Sequence, residues 1–330
     1  MMEWAVTSSA LLLAVMLLRA VFRKRIGPKL QYAIWAVVLL RLLLPFSLFQ
    51  SPVSVMSAFS TPPAVENPAN RQPAVQRPGE EATFPTGQNA GDSDASAPDP
   101  AAPAKGNSAG LQPSNPPDAK ALLGALWAVG AALTGIWFLG TNLLFAFRLK
   151  QTRRDLPVSA SALPVYLTAA AASPCLFGVF RPAIYLTPKA AETPESQKHV
   201  IAHELCHRRQ GDHIWSLLRG LCVALWWWNP LVWAAAALSR TDSELACDEA
   251  AIRYLGEDSR LDYGRTLVGM IAVKGAPSGL LCAATTMSAG KRGIKERITM
   301  IVKRPKRFLS AAIAAALLAG LFAGCAFAGP

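Results

Sequence analysis

Four long apolar stretches divide the chain: Trp4 to Phe22, Tyr32 to Phe49, Leu122 to Phe147 and Phe308 to Phe327. Each approaches or exceeds the ~20 residues an α-helix needs to cross ~30 Å of hydrocarbon. The pattern predicts an α-helical polytopic membrane protein with four spans. A fifth apolar run, Trp215 to Leu238, covers 24 residues and carries one charge, Arg219. As a straight helix it would extend ~36 Å and cross the bilayer too. Asn229-Pro230 interrupts it: proline removes a backbone donor and disfavours helix in the residue before it, and asparagine caps the helix that begins at Pro230. A helical hairpin over 214–243, re-entrant or buried, fits this pattern, and an unbroken fifth span is the alternative. Residues 50–120 have almost no large apolar side chains and no periodicity, and are rich in Pro, Ala, Ser, Asn and Gly. Such a segment buries too little surface to offset the entropy of ordering and is expected to be a disordered extracytoplasmic loop. The expected order is two N-terminal transmembrane helices (1–49), the loop (50–120), a third transmembrane helix (121–147), a cytoplasmic domain (148–307), and a C-terminal transmembrane helix with a short tail (308–330).

Composition agrees with this reading, at 52% hydrophobic and 16% charged. The net charge of +12 gathers in three clusters, Arg23 to Lys29, Arg148 to Arg154 and Lys291 to Arg307. All three lie at span ends, and the positive-inside rule puts them in the cytoplasm, with the N-terminus, the 50–120 loop and the C-terminus outside. Glu3 precedes the first stretch, Arg19, Arg23, Lys24 and Arg25 follow it, and no small-residue cleavage site ends it. It therefore reads as an uncleaved span and not as a signal peptide. The clusters suit anionic headgroups, so the lipid bilayer is the expected partner and direct nucleic-acid binding is not expected. Six cysteines without CxxC spacing imply no disulfide framework.

All four histidines fall within "HVIAHELCHRRQGDH", from His199 to His213. Thr193-Pro194 predicts a helix start and Gly211 a stop. Between them His203 and His207 share one helical face a turn apart and can hold one metal ion. Glu204 lies about 100° further round the helix, suited to act on a water at the metal rather than to be an equal ligand. This is the H-E-x-x-H pattern of a zinc protease, in which Zn²⁺ polarises the carbonyl and acidifies a water while the glutamate moves the proton. Neutral structural histidines are the alternative reading. A catalytic zinc needs a third protein ligand. "SELACDEAA" offers Glu244, with Asp248 four residues on behind it, holding a ligand histidine in its tautomer. The reverse assignment of that pair stays open. His199 shares the His203 face, and His213 reads as a polar contact. Both His207 and Glu244 must reach one ion, which requires the 214–243 segment to return to the side it left. Upstream, Ala183 to Thr187 reads as a strand closed by Pro188. Its residues Ile184, Tyr185 and Leu186 are candidates for edge-on pairing with an extended substrate, or belong to a plain sheet strand.

At these residues the chain resembles the BlaR/MecR-type antirepressor membrane zinc metalloproteases, peptidase family M56. "SPCLFGVFRPAIYLTP", "HVIAHELCHRRQGDH", "WWNPLVW", "ELACDEA" and "KRGIKERI" occur in that family's order. The resemblance implies one Zn²⁺ per chain, held by His203, His207 and Glu244, with Glu204 catalytic. It implies a gluzincin-like α/β zinc-protease domain facing the cytoplasm of a bacterial cell between the third span and the last. The implied substrate is a dimeric winged-helix transcriptional repressor whose cleavage switches on resistance-type genes, with self-cleavage as the other substrate considered. A homodimer of the chain is a candidate assembly. The β-lactam receptors continue past their last span into a penicillin-binding sensor domain, whereas this sequence stops at Pro330. Direct β-lactam sensing is therefore not expected. A quality-control protease for membrane proteins and a non-catalytic signalling scaffold are the alternative functions, and an intact Glu204 speaks against the scaffold.

Overall fold

The computed structural model describes residues 2–44, 49–50, 119–158, 161–270, 285–286, 291–303 and 308–329. The expected loop over 50–120 lies almost wholly outside them. Helix α1 (Met2–Phe22) leads through residues 23–27 into α2 (Pro28–Leu43). α2 starts four residues before the expected Tyr32, because Pro28 takes the first helical position after Gly27, where its missing N–H costs nothing. Phe49–Gln50 (β1) pairs in parallel with Ala328–Gly329 (β7). α3 (Ala119–Thr152) overruns its expected stretch at both ends. Among the described residues, Trp4–Phe22 and α3 are long and apolar enough to cross a membrane, while Leu309–Cys325, within α9 (Leu309–Phe327), is apolar but shorter. α3 exposes Leu122, Leu126, Leu133, Ile136, Leu143 and Phe147 by at least 60% each except where the bundle touches it, the surface expected of a helix meeting lipid.

Among the described residues, two of the three apolar cores bear on the site, the third lying between α3 and the outer face of the sheet. In the first, Leu12 and Val15 of α1 and Trp35 and Val38 of α2 pack with Val223 of α5 (Asp212–Leu225), Val232 and Ala235 of α6 (Pro230–Leu255), and Ala315 of α9. The apolar run from Trp215 is thus two helices, broken at residues 226–229, where the Asn229 side chain accepts from the Leu231 N–H and caps α6. The second core holds a sheet ordered β2-β3-β5-β4-β6, from Arg154–Asp155, Val165–Leu167, Ala183–Leu186, Cys175–Phe177 and Thr285–Thr286. Leu176 and Ile184 pack there with Val200 of α4 (Pro194–Gln210), Ile252 of α6, Tyr263 of α7 (Arg260–Gly269) and Ile301 of α8 (Lys291–Lys303).

The sheet corrects one expectation. Ile184, Tyr185 and Leu186 offer no edge to a substrate, because β5 is an interior strand with β3 parallel on one side and β4 antiparallel on the other. All four β5 residues are buried. An unbroken apolar run such as Ala-Ile-Tyr-Leu suits a strand covered on both faces, whereas an edge strand calls for alternation.

α6 belongs to both cores, contributing Val232 and Ala235 to one and Cys247, Ala251 and Ile252 to the other. Where they meet, the fully buried Asp242 carboxylate accepts from Arg19 Nε and Nη2, from Gln31 Nε2 at 2.5 Å and from Trp35 Nε1 at 2.7 Å. A buried carboxylate is tolerable only with this degree of pairing. Asp242→Ala leaves the buried Arg19 guanidinium with only the Glu296 carboxylate, 3.7 Å away, as countercharge, with an expected cost of about 3–5 kcal/mol. Thermal unfolding of the detergent-solubilised full chain reads this, and an unchanged melting temperature would contradict it.

Candidate metal centre

α4 begins where expected: the Thr193 hydroxyl accepts from the Ser196 N–H, and Pro194 takes the first helical position. It ends at Gly211, in the left-handed conformation with φ 72°, which glycine adopts without a Cβ penalty. That turn starts α5 at Asp212, directly behind His207.

His203 Nε2 and His207 Nε2 are 3.0 Å apart, and Glu244 reaches both, with Oε2 3.5 Å from the first and Oε1 3.8 Å from the second. All three side chains are buried. The other ring nitrogens decide the tautomers. Asp212 Oδ2 lies 2.6 Å from His207 Nδ1, and a carboxylate only accepts, so Nδ1 carries the proton. The Tyr263 hydroxyl donates to Asp248 Oδ1 at 2.7 Å and lies 2.8 Å from His203 Nδ1, so it must accept from that ring. Both Nε2 atoms are then lone-pair acceptors aimed at one point together with a carboxylate. Three acceptors without a donor are stable only around a positive charge. Two nitrogens on one tetrahedral zinc, each ~2.05 Å from it, would lie roughly 3.3 Å apart, close to the observed spacing. The residues present therefore fit a divalent cation.

The electrostatics agree. Burial works against charge on His203, yet the neighbouring Asp248 and Glu244 carboxylates raise its pKa, so the site favours a positive charge at this position. Burial likewise opposes ionisation of Glu244, but Arg297 and the two histidines bring its carboxyl down to about 2. Asp212 is also held down to about 2, since hydrogen bonds from His207 and Tyr32 overcome its burial. Asp248 is lowered further, chiefly by Arg297, whose Nε and Nη2 each donate to it at 2.7 Å. Arg297 Nη1 stands 3.0 Å from Glu244 Oε2 as an ion pair without hydrogen-bond alignment. Glu244 and Asp248 thus face one guanidinium while Asp212, behind His207, faces none, an excess of negative charge that a divalent ion would offset.

Glu204 differs from all of these. Burial raises its carboxyl to about 8 although the Leu176 backbone works the other way, and no side chain hydrogen-bonds either oxygen among the described residues. Asp248 is engaged by Arg297, Tyr263 and His203, which leaves Glu244 as the carboxylate facing the imidazole pair. A second metal-capable group, His207 with Asp212 and Cys247, uses atoms that already satisfy one another: Cys247 Sγ donates to Asp212 Oδ2 at 3.3 Å. His199 is occupied with Thr266 Oγ1 at 2.8 Å, and buried His213 belongs to neither group. Sequence reasoning missed Asp212, Tyr263 and Arg297. Asp212 follows the helix stop directly, and Arg297 is the last charged residue of "KRGIKERI", so both left a local signal. Tyr263, 60 residues from His203, left none.

Comparison with known proteins gives the lineage of this site. A family model described as BlaR1 peptidase M56 matches residues 1–301, and the chain belongs to that family. The regulatory protein BlaR1 of Bacillus licheniformis is 35% identical over 132 residues, which are 39% of this chain and 22% of that protein. The methicillin resistance mecR1 protein of Staphylococcus aureus (strain Mu50 / ATCC 700699) is 25% identical over 131 residues, again 39% and 22%. The matched stretch therefore spans about a fifth of the length of these relatives.

Arg297→Met would strip the countercharge from Glu244 and Asp248. The metal-free variant is expected to lose about 3–5 kcal/mol, and added Zn²⁺ to raise its melting temperature more than that of the wild type. Thermal unfolding with and without Zn²⁺ checks this, and equal increments would contradict it.

Proposed function

We propose that the chain is a membrane-embedded zinc endopeptidase that cleaves a cytoplasmic winged-helix transcriptional repressor, or itself, in a signalling response that controls resistance-type genes. The observation that carries the reading is the set of three converging acceptors beside one buried glutamate that no other side chain hydrogen-bonds among the described residues. His203, His207 and Glu244 would hold one Zn²⁺ per chain. Bound there, the ion supplies Lewis acidity, polarising the scissile carbonyl and acidifying the attacking water.

The chain's own residues do the rest. A carboxylate oxygen of Glu204 takes a proton from the attacking water and returns it to the leaving amide nitrogen. Burial pushes its pKa up and a nearby cation would bring it back down, which suits a group that takes and returns one proton. Asp212 on one side, and Tyr263 with Asp248 on the other, keep both Nδ1 atoms protonated so that both Nε2 atoms stay turned inward. Burial of the whole set keeps bulk water from competing.

The cytoplasmic orientation has its own support. Arg23, just after α1, pairs with Glu296 of α8 at 3.3 Å, and the Phe308 N–H donates to the Arg25 carbonyl. The basic segment after α1 thus lies beside the helix that brings Arg297 to the site, and the positive-inside rule assigns that side to the cytoplasm. The repressor substrate rests on the relatives named above and on the family resemblance.

Glu204→Gln keeps the shape and the ligands but cannot take the proton. Cleavage of candidate repressors by the membrane-reconstituted full chain is expected to fall by roughly 10²–10⁴-fold, with zinc content unchanged. Gel analysis of fragments alongside metal analysis decides it, and undiminished cleavage would overturn the reading.

A further inference from the structure

We propose that Tyr32, on α2, a helix of the apolar bundle that hydropathy reads as a membrane segment, is a positioning residue for the metal centre, acting through Asp212 on His207. The inference rests on the zinc reading above and adds that helix to the machinery. Tyr32 Oη donates to Asp212 Oδ1 at 2.5 Å, and the other oxygen of the same carboxylate receives His207 Nδ1 at 2.6 Å. Asp212 is fully buried, so protein groups rather than bulk water set the orientation of its carboxylate. The Tyr32 hydroxyl, 180 residues away in sequence, thereby helps to hold the carboxylate that orients a ligand ring, together with Ser243 and with Cys247 on Oδ2.

α2 reaches the centre by a second route. Gln31 and Trp35 donate to Asp242, two positions before Glu244 on α6. Residues 31, 32 and 35 fall within about 100° of helix surface, so one face of α2 touches both the support of His207 and the segment that delivers Glu244. The Tyr32 ring packs edge-on against Trp215 of α5, centroids 6.4 Å apart, and that contact does not need the hydroxyl. Packing and hydrogen bonding at this position are therefore separable.

The physical consequence is coupling. A carboxylate behind a metal-bound histidine sets both the tautomer and the basicity of the ring, and loss of such a partner typically weakens metal binding by about 10–100-fold. A withdrawal of α2 by roughly 1 Å would stretch the Tyr32 bond beyond hydrogen-bonding length. Metal affinity and ligand geometry would then report the position of α2, with no contact between that helix and the ion.

The test uses the full chain in detergent micelles. Three quantities are measured for wild type, Tyr32→Phe, Asp212→Asn and the double variant: Zn²⁺ affinity by competition with a chromophoric chelator, the visible absorption of the Co²⁺-loaded protein, and the melting temperature of the metal-free protein. Tyr32→Phe is expected to weaken Zn²⁺ binding about tenfold and to shift the Co²⁺ bands, while the metal-free melting temperature falls only by the few degrees that one lost buried hydrogen bond costs. The double variant is expected to bind no more weakly than Asp212→Asn alone, because both changes cut one chain of bonds. Unchanged affinity and Co²⁺ bands in Tyr32→Phe, or additive losses in the double variant, would overturn the proposal. So would a loss that merely tracks a larger fall in the metal-free melting temperature, which marks a structural tether. Wild type that binds no Zn²⁺ removes the metal-centre reading as well, whereas wild-type binding with an indifferent Tyr32→Phe removes this inference alone.

Discussion

Two imidazole nitrogens, neither bearing a proton, face each other at 3.0 Å with a carboxylate beside them. That arrangement is unfavourable unless a positive charge lies among them, and much of the surrounding structure serves to maintain it. Asp212 and Tyr263 keep both rings in the inward-facing tautomer. Arg297 offsets part of the negative charge and leaves a remainder suited to a divalent ion. Glu204 stands outside this side-chain pairing, a buried carboxyl suited to carry a proton.

The same constraint explains the fold around it. Ligands from two helices, 37 positions apart by their numbering, can meet only if the apolar segment between them turns back. Asn229 and Pro230 make that return, and α6 then runs from the core of the apolar bundle to the core of the sheet. The site lies just past the joint between the two cores, with Asp242 tied to α1 and α2 and Asp248 tied to α8. A helix with one end among the apolar helices and a ligand near its middle transmits displacement to the metal centre as a matter of geometry.

What could be read from the sequence was what repeats at helical spacing or interrupts it. His203 and His207 one turn apart, the Thr193-Pro194 start, the Gly211 stop and the Asn229-Pro230 break are local patterns with local causes. Glu244 could be proposed because a zinc ligand set was incomplete without it. Tyr263 was not legible, since it meets Asp248 from 15 residues away and no periodicity links them, and Arg297, 49 residues away, stood in a noted motif whose contact with Asp248 no spacing shows. The β5 misreading has the same origin: an apolar run announces a buried strand, while whether its edges are free depends on β3 and β4, which pair with it across loops. α2 was placed late because hydropathy was weighed above the helix-starting geometry of Pro28.

X-ray absorption at the zinc K-edge, recorded on the full chain purified with stoichiometric Zn²⁺, addresses the central claim most directly. Two imidazole nitrogens with the remaining ligands all oxygen, at about 2.0–2.2 Å, is the result expected for His203, His207 and Glu244. A sulfur scatterer at about 2.3 Å would assign the ion to Cys247, and a spectrum of fully hydrated zinc would leave the centre without its metal; either contradicts the account.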